Sequence, residues 1–272
     1  MRSHSEMMKL IFSKAEDERI LLVTQEGSRN SNEADAFSDY DITYFVEDID
    51  TFDDTFIEDF GEIMILQKPE AMACLKHAKT YLMMFQDGNR IDLKIAPLWD
   101  LETYLHEENV HVLLDKRNLC LQKDYINHTY EIEMLSYSDA LACINEFYWI
   151  SLYVLKGILR HDLLYANYYF THICMEECLK MMSFDIQLHH HEKIKLGKCY
   201  KRIFEYIDHC DHELMNKWFH TASTLEMGEA LLSCMSLFEA YAKDAFSQLN
   251  WSMPKEVENV TNYVYRKLNK KR

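Results

Sequence analysis

Residues 26–46 read EGSRNSNEADAFSDYDITYFV. The second half is strand-like, and it opens on two aspartates, Asp39 and Asp41, set behind the pair Gly27-Ser28. A strand sends alternate side chains to opposite faces, so Asp39 and Asp41 share one face while Tyr40 and Ile42 share the other. Like charges about 7 Å apart on one face repel. The pattern therefore asks for something positive between them: a basic side chain, a metal ion, or bulk water if the face is open. The apolar run RILLVTQ, 19–25, leads into Gly27-Ser28. A glycine behind a strand lets the backbone turn tightly and bring N–H groups close to an anion. A strand, Gly-Ser, a ten-residue connection and Asp-x-Asp on a second strand together describe a loop that holds phosphate oxygens while carboxylates hold Mg²⁺ against them.

A third carboxylate lies further along, in RIDLKI at 90–95, where Ile91, Leu93 and Ile95 alternate with Asp92 and leave it off the apolar face. Magnesium takes oxygen ligands and binds through few carboxylates plus substrate phosphates. Two such ions about 3.5–4 Å apart can activate an attacking oxygen and neutralise charge on a departing pyrophosphate. The plainer alternative makes Asp39 a loop cap, Asp41 an exposed residue and Asp92 the flank of a turn.

Around this nucleus, runs rich in Ile, Leu, Val, Tyr and Phe predict strands at 19–25, 42–46, 62–66, 80–85, 90–95 and 110–114. Gln86-Asp87-Gly88-Asn89 joins two of them as an antiparallel hairpin. Helical spacing predicts helices over 5–18 and 98–107. Past about residue 130 the strand signals fade and helical periodicity takes over, most clearly in Leu231, Met235, Phe238, Ala242, Ala245 and Leu249, a core-facing stripe.

Composition narrows the function. A formal net charge of −16 argues against sequence-independent nucleic-acid binding, which depends on neutralising phosphates, and suits a cationic ligand. Much of that charge sits in 47–62, expected to be a solvated segment. MRSHSEMMKL lacks an apolar export region, and no run of about 18 apolar residues occurs, so a cytoplasmic protein without membrane contact is expected. The eight cysteines form no C-x-x-C pair. Cys174 and Cys178, four apart, read as a reduced buried pair.

EGSRN, FSDYDITYFV, DGNRIDLKIAPL, LLDK, INEFYWISLYVLKGILR and LGKCYK resemble the aminoglycoside 6-adenylyltransferase family, streptomycin-modifying enzymes of the polymerase-β-like nucleotidyltransferase superfamily. The resemblance runs through nearly the whole chain. It implies an α+β protein: a nucleotidyltransferase α/β domain with a mixed sheet at 1–130 and an α-helical, substrate-binding bundle at 131–272. It further implies transfer of AMP from ATP to a hydroxyl of streptomycin, with Mg²⁺ required. Asp39, Asp41 and Asp92 would be metal ligands and catalytic residues, Gly27 and Ser28 the phosphate loop, and Arg29 a further nucleotide-binding residue. The partners would be ATP and a cationic aminoglycoside, and the protein a monomer or weak homodimer. A rival keeps the fold but makes a protein side chain the acceptor. A rival of another class is an inactive nucleotide- or aminoglycoside-binding protein. The chain departs from the family at Arg202-Ile203-Phe204-Glu205, where a basic stretch is usual, and at Arg160-His161-Asp162, where the family carries Arg-x-Glu.

In the helical half, Leu141, Ile144, Tyr148, Leu152, Leu155 and Leu159 predict one buried stripe, and Glu146, Trp149, Tyr153, Lys156 and Arg160 recur on the opposite face. A carboxylate, two aromatic residues and two cations suit a cleft wall, with Lys156 or Arg160 attracting phosphate and Glu146 accepting from a cationic sugar. Lys198 after Gly197 is a further phosphate candidate. Asp162 is the favoured candidate for the general base, with Glu146 its rival, and Asp162 is also a candidate cap for the helix that follows. His189-His190-His191 reads as a polar interhelical loop.

Overall fold

The computed structural model describes residues 1–30, 34–70, 75–107, 110–120 and 131–269. The chain divides into two compact units, Met1–Thr129 and Tyr130–Arg272.

The first unit opens with α1 (His4–Ala15), started by a capping box in which the Ser3 hydroxyl takes the Glu6 backbone N–H and the Glu6 carboxylate takes that of Ser3. Then come β1 (Ile20–Glu26), a 3-10 turn at Gly27–Asn30, β2 (Tyr40–Val46), β3 (Ile63–Gln67), β4 (Lys79–Phe85), β5 (Arg90–Pro97), α2 (Leu101–Glu107) and β6 (His111–Asp115). The sheet is six-stranded and mixed, in the order β3-β4-β5-β2-β1-β6. Neighbours run antiparallel except β2 and β5, which are parallel. Residues 86–89 join β4 to β5 as the expected hairpin. Strand β2 begins at Tyr40, so Asp39 is the last residue of the connection and not the first of the strand.

Alternation gives the sheet two unlike faces. Val23, Tyr40, Ile42, Tyr44, Ile91 and Leu93 meet Met7 and Ile11 of α1 in one apolar core. The acidic segment 47–62 is only half the solvated stretch expected. Its aspartates cap short 3-10 turns, Asp48 and Asp53 each accepting a backbone N–H, but Phe52, Ile57 and Phe60 are buried in that same core, each contributing about 1.5–3 kcal/mol. On the other face, Leu22, Phe45 and Ala96 pack under Leu101, Tyr104 and Leu105 of α2.

The second unit holds α3 (Tyr137–Arg160), α4 (Leu163–Tyr169), a π-helical turn at Phe170–Cys174, α5 (Met175–Leu188), α6 (His209–Asn216), α7 (Thr224–Gln248) and α8 (Glu256–Asn269). The α7 stripe from Leu231 to Ala245 is buried as its spacing predicts, and Leu249 is partly buried at the helix end. The α3 stripe is displaced: Ala140, Phe147, Ser151, Val154 and Ile158 are buried with Ile144, Tyr148 and Leu155, while Leu141, Leu152 and Leu159 lie at its margin. Cys174 and Cys178 are buried free thiols, and burial pushes the Cys174 thiol up to about 12. Among the described residues no helix is long and apolar enough to cross a membrane.

Candidate active site

Strands β1, β2 and β5 lie side by side, and their register sets Glu26 opposite Asp41 and Asp41 opposite Asp92. One step further along, Thr24 opposes Thr43 and Thr43 opposes Lys94. All six residues share the face of Leu22, Phe45 and Ala96, because positions two apart on a strand point the same way. The apolar floor beneath α2 thus gives way to a polar end.

Lys94 and Glu26 form an ion pair with both side chains 7% exposed. Taking two charges out of water costs several kcal/mol per ion unless the remaining lone pairs are satisfied. Here they are: Glu26 also accepts the Thr43 hydroxyl at 2.7 Å and the Tyr104 hydroxyl, and Thr24 Oγ1 lies 2.8 Å from the same tyrosine oxygen. Asp41 is less well served. Burial, first, and then the neighbouring Asp92 carboxylate raise its pKa to about 6; Lys94 opposes the rise, while Glu26 and Asp39 add to it.

Gly27 lies against that carboxylate. A Cβ at this position would stand 2.3 Å from Asp41 Oδ2, and the glycine has φ +71°, so both the close approach and the left-handed backbone require the absence of a side chain. The turn is tied at its ends: Asn30 Nδ2 donates to the Gln25 carbonyl at 2.5 Å. Arg29 donates to the carbonyls of Asp39 (3.0 Å) and Ser38 (2.5 Å), its guanidinium 3.7 Å from the Tyr40 ring centre. Arg29 therefore anchors the loop to the start of β2. A positive group stands between two of the three aspartates, Asp39 and Asp92: it is Arg90. It donates to Asp92 through Nε at 2.7 Å and Nη2 at 2.8 Å, and its Nη1 is 3.4 Å from Asp39 Oδ2.

The donor set suits a hard divalent cation. All three carboxylates offer oxygen, and Asp41 is a half-buried acid whose charged neighbours are mostly of its own sign. Among the described residues, the group whose donor atoms all lie within 4.8 Å of one another is a different one, Asp185, His189 and Asp244 in the helical unit; between Asp39 and Asp92 stands the Arg90 guanidinium. The sequence reading missed Arg90, Lys94 and Glu26. The signal was present, since Arg90, Asp92 and Lys94 recur at steps of two, the spacing that puts all three on one strand face.

The helical unit brings together part of the predicted set. Trp149, Tyr153, Lys156 and Arg160 of α3 line a groove of about 640 Å³ with Val260 and Tyr263 of α8. Trp149 is 57% exposed and donates its indole N–H to the Tyr153 hydroxyl at 3.2 Å, and the Lys156 amine sits 5.0 Å from the Tyr153 ring centre. Glu146 is exposed on the same helix and does not line the groove. Asp162 is exposed and caps α4, accepting the Tyr165 N–H at 3.2 Å. Lys198 is exposed in a 3-10 turn behind Gly197.

Comparison with known proteins places these observations. The profile of the family described as "Streptomycin adenylyltransferase" matches residues 1–267. The chain is 34% identical to an aminoglycoside 6-adenylyltransferase of Bacillus subtilis (strain 168) over 276 residues, 97% of each chain. It is also 34% identical to one of Campylobacter jejuni over 283 residues, 99% of this chain and 97% of the relative. A crystal structure of an aminoglycoside 6-adenyltransferase from Bacillus subtilis resembles it with a TM-score of 0.50 at 32% identity, covering 98% of this chain and 99% of the other.

Proposed function

The chain belongs to the streptomycin adenylyltransferase family, and from that premise we propose that it transfers AMP from ATP to a hydroxyl of an aminoglycoside, streptomycin first among them, releasing pyrophosphate. The observation that carries the reading is the register of Glu26, Asp41 and Asp92 across three strands with Gly27 pressed against the middle carboxylate. A hard cation such as Mg²⁺, held by Asp39, Asp41 and Asp92, would neutralise charge as pyrophosphate leaves. Everything else falls to the chain. Gly27 and Ser28 form the phosphate loop, and Arg29 fixes the far end of that loop to β2. The Lys94–Glu26 pair holds the strand face on which Asp41 and Asp92 stand. In the reaction the acceptor oxygen bonds to the α-phosphorus, the bond from that phosphorus to pyrophosphate breaks, and the acceptor proton passes to a carboxylate, for which Asp162 is our choice. Trp149 and Tyr153 offer stacking surface, Lys156, Arg160 and Lys198 attract phosphate, and Glu146 accepts from the cationic acceptor.

The test is incubation of the full chain with ATP, Mg²⁺ and a panel of aminoglycosides, read by mass spectrometry. An AMP adduct on streptomycin is expected. No adduct on any aminoglycoside, with AMP found instead on a protein, would overturn the choice of acceptor while leaving the nucleotidyl chemistry in place.

A further inference from the structure

Helix α5 ends at Leu188, with His189 as its C-cap and Asp185 one turn earlier; α7 carries Asp244 and Gln248 at the same spacing in its last turns. Residues four apart share a helix face. The two helices pack against each other, so the two pairs face one another. His189 Nε2 lies 2.6 Å from Asp244 Oδ2 and 3.8 Å from Asp185 Oδ2. The Gln248 amide nitrogen is 2.8 Å from the same ring nitrogen, 3.2 Å from Asp244 Oδ2 and 3.4 Å from Asp185 Oδ1.

Two features of this cluster point to a ligand. The Asp185 side chain is only 6% exposed, and among the described residues its side-chain partners are an amide at 3.4 Å, beyond good hydrogen-bond range, and an imidazole farther still. It is a buried carboxylate aimed at the centre, and among the described residues no cation from outside the cluster is brought to it. Separately, the contacts at His189 Nε2 conflict. If that nitrogen carries a proton for Asp244, it cannot accept from Gln248; if it carries none, its lone pair faces the Asp244 oxygen. A cation at the centre resolves both once the Gln248 amide turns its oxygen inward, because each inward atom then has a lone pair to give.

We propose that Asp185, His189 and Asp244, joined by Gln248 through Oε1 after a half-turn of its amide, bind a first-row divalent transition-metal ion such as Zn²⁺ and clip the end of α5 to α7. One imidazole nitrogen and three oxygens suit four-coordinate zinc, and the imidazole disfavours magnesium. Two carboxylates balance the charge of the ion. His190 takes no part: its Nδ1 is bonded to the Ile186 carbonyl at 2.7 Å. This site is chemically distinct from the all-oxygen set on the sheet.

The test uses the full chain stripped with a chelator and titrated with Co²⁺, followed by visible absorption, and with Zn²⁺ by calorimetry. Apart from any binding at the sheet carboxylates, one saturable site that survives Asp41→Asn is expected. His189→Ala and Asp244→Asn should each weaken it at least about tenfold, while His190→Ala and Asp41→Asn keep wild-type affinity. Zinc should raise the melting temperature of the wild type and not that of His189→Ala. Unchanged affinity in both His189→Ala and Asp244→Asn, or loss of the site in Asp41→Asn alone, would overturn the proposal, as would the absence of any saturable site in the wild type.

Discussion

At Gly27 the backbone comes so near the Asp41 carboxylate that one methyl group decides the geometry. Gly27→Ala must hold a left-handed φ, at about 1–2 kcal/mol, and drive the Asp41 carboxylate off its position. Displacement on the order of 1 Å in a reacting site costs about 10²-fold. We expect that loss in kcat/KM for AMP transfer, with the far-ultraviolet dichroism unchanged. Asp41 itself gives a prediction with a sign. Its folded pKa, about 6, lies above the ordinary 3.8, so the fold favours the protonated acid. Ionisation destabilises the fold, and this group's contribution falls as pH rises from about 4 to about 6. Asp41→Asn removes that fall. Urea unfolding without divalent ions should find the variant equal to wild type near pH 4 and more stable above pH 6, by on the order of 3 kcal/mol, while transfer drops at least about 10²-fold. These residues were unequally legible in the sequence. Asp41 and Asp92 could be placed on one face by alternation alone, but that β2 and β5 are parallel neighbours, which brings the two carboxylates together, depends on a pairing across 51 positions that local pattern does not encode. The same gap hid Lys94 and Glu26, whose pairing spans 68 positions.

Among the elements, the strands and the β4–β5 hairpin lie where their apolar runs predict them, whereas α3 keeps Ile144, Tyr148 and Leu155 in its core and moves Leu141, Leu152 and Leu159 to the margin. The reason is size. Ala140, Ser151 and Gly157 are buried because small residues admit close neighbours: a Cβ on Gly157 would meet Ala166 of α4 at 2.8 Å. A reading weighted to leucine and isoleucine passes over such positions. The α3–α4 junction also carries the test of the proton acceptor. Asp162 caps α4, and asparagine caps about as well as aspartate. Asp162→Asn should therefore unfold within about 0.5 kcal/mol of wild type, yet lower kcat much more than it raises KM for the acceptor. If kcat holds while Glu146→Gln collapses it, the two carboxylates exchange roles.

For the molecule as a whole, a net charge of −16 sets up a long-range field that draws in a polycation and is screened beyond about 10 Å at 0.1 M salt. Turnover efficiency with streptomycin should fall as salt rises, mainly through KM. Stopped-flow or steady-state rates across a salt series check it, and a flat profile would remove the charge from the account of acceptor capture. The buried thiols of the helical unit have a consequence of their own. Cys143, Cys174, Cys178 and Cys234 are buried there, whereas Cys199 and Cys210 are exposed. Only a thiolate is reactive, and burial suppresses it. A thiol-labelling reagent should therefore mark the exposed pair at once and wait for the other four until the bundle opens, so the lag between the two bursts is a clock for the breathing of that unit, kept by its own native atoms and needing no introduced probe.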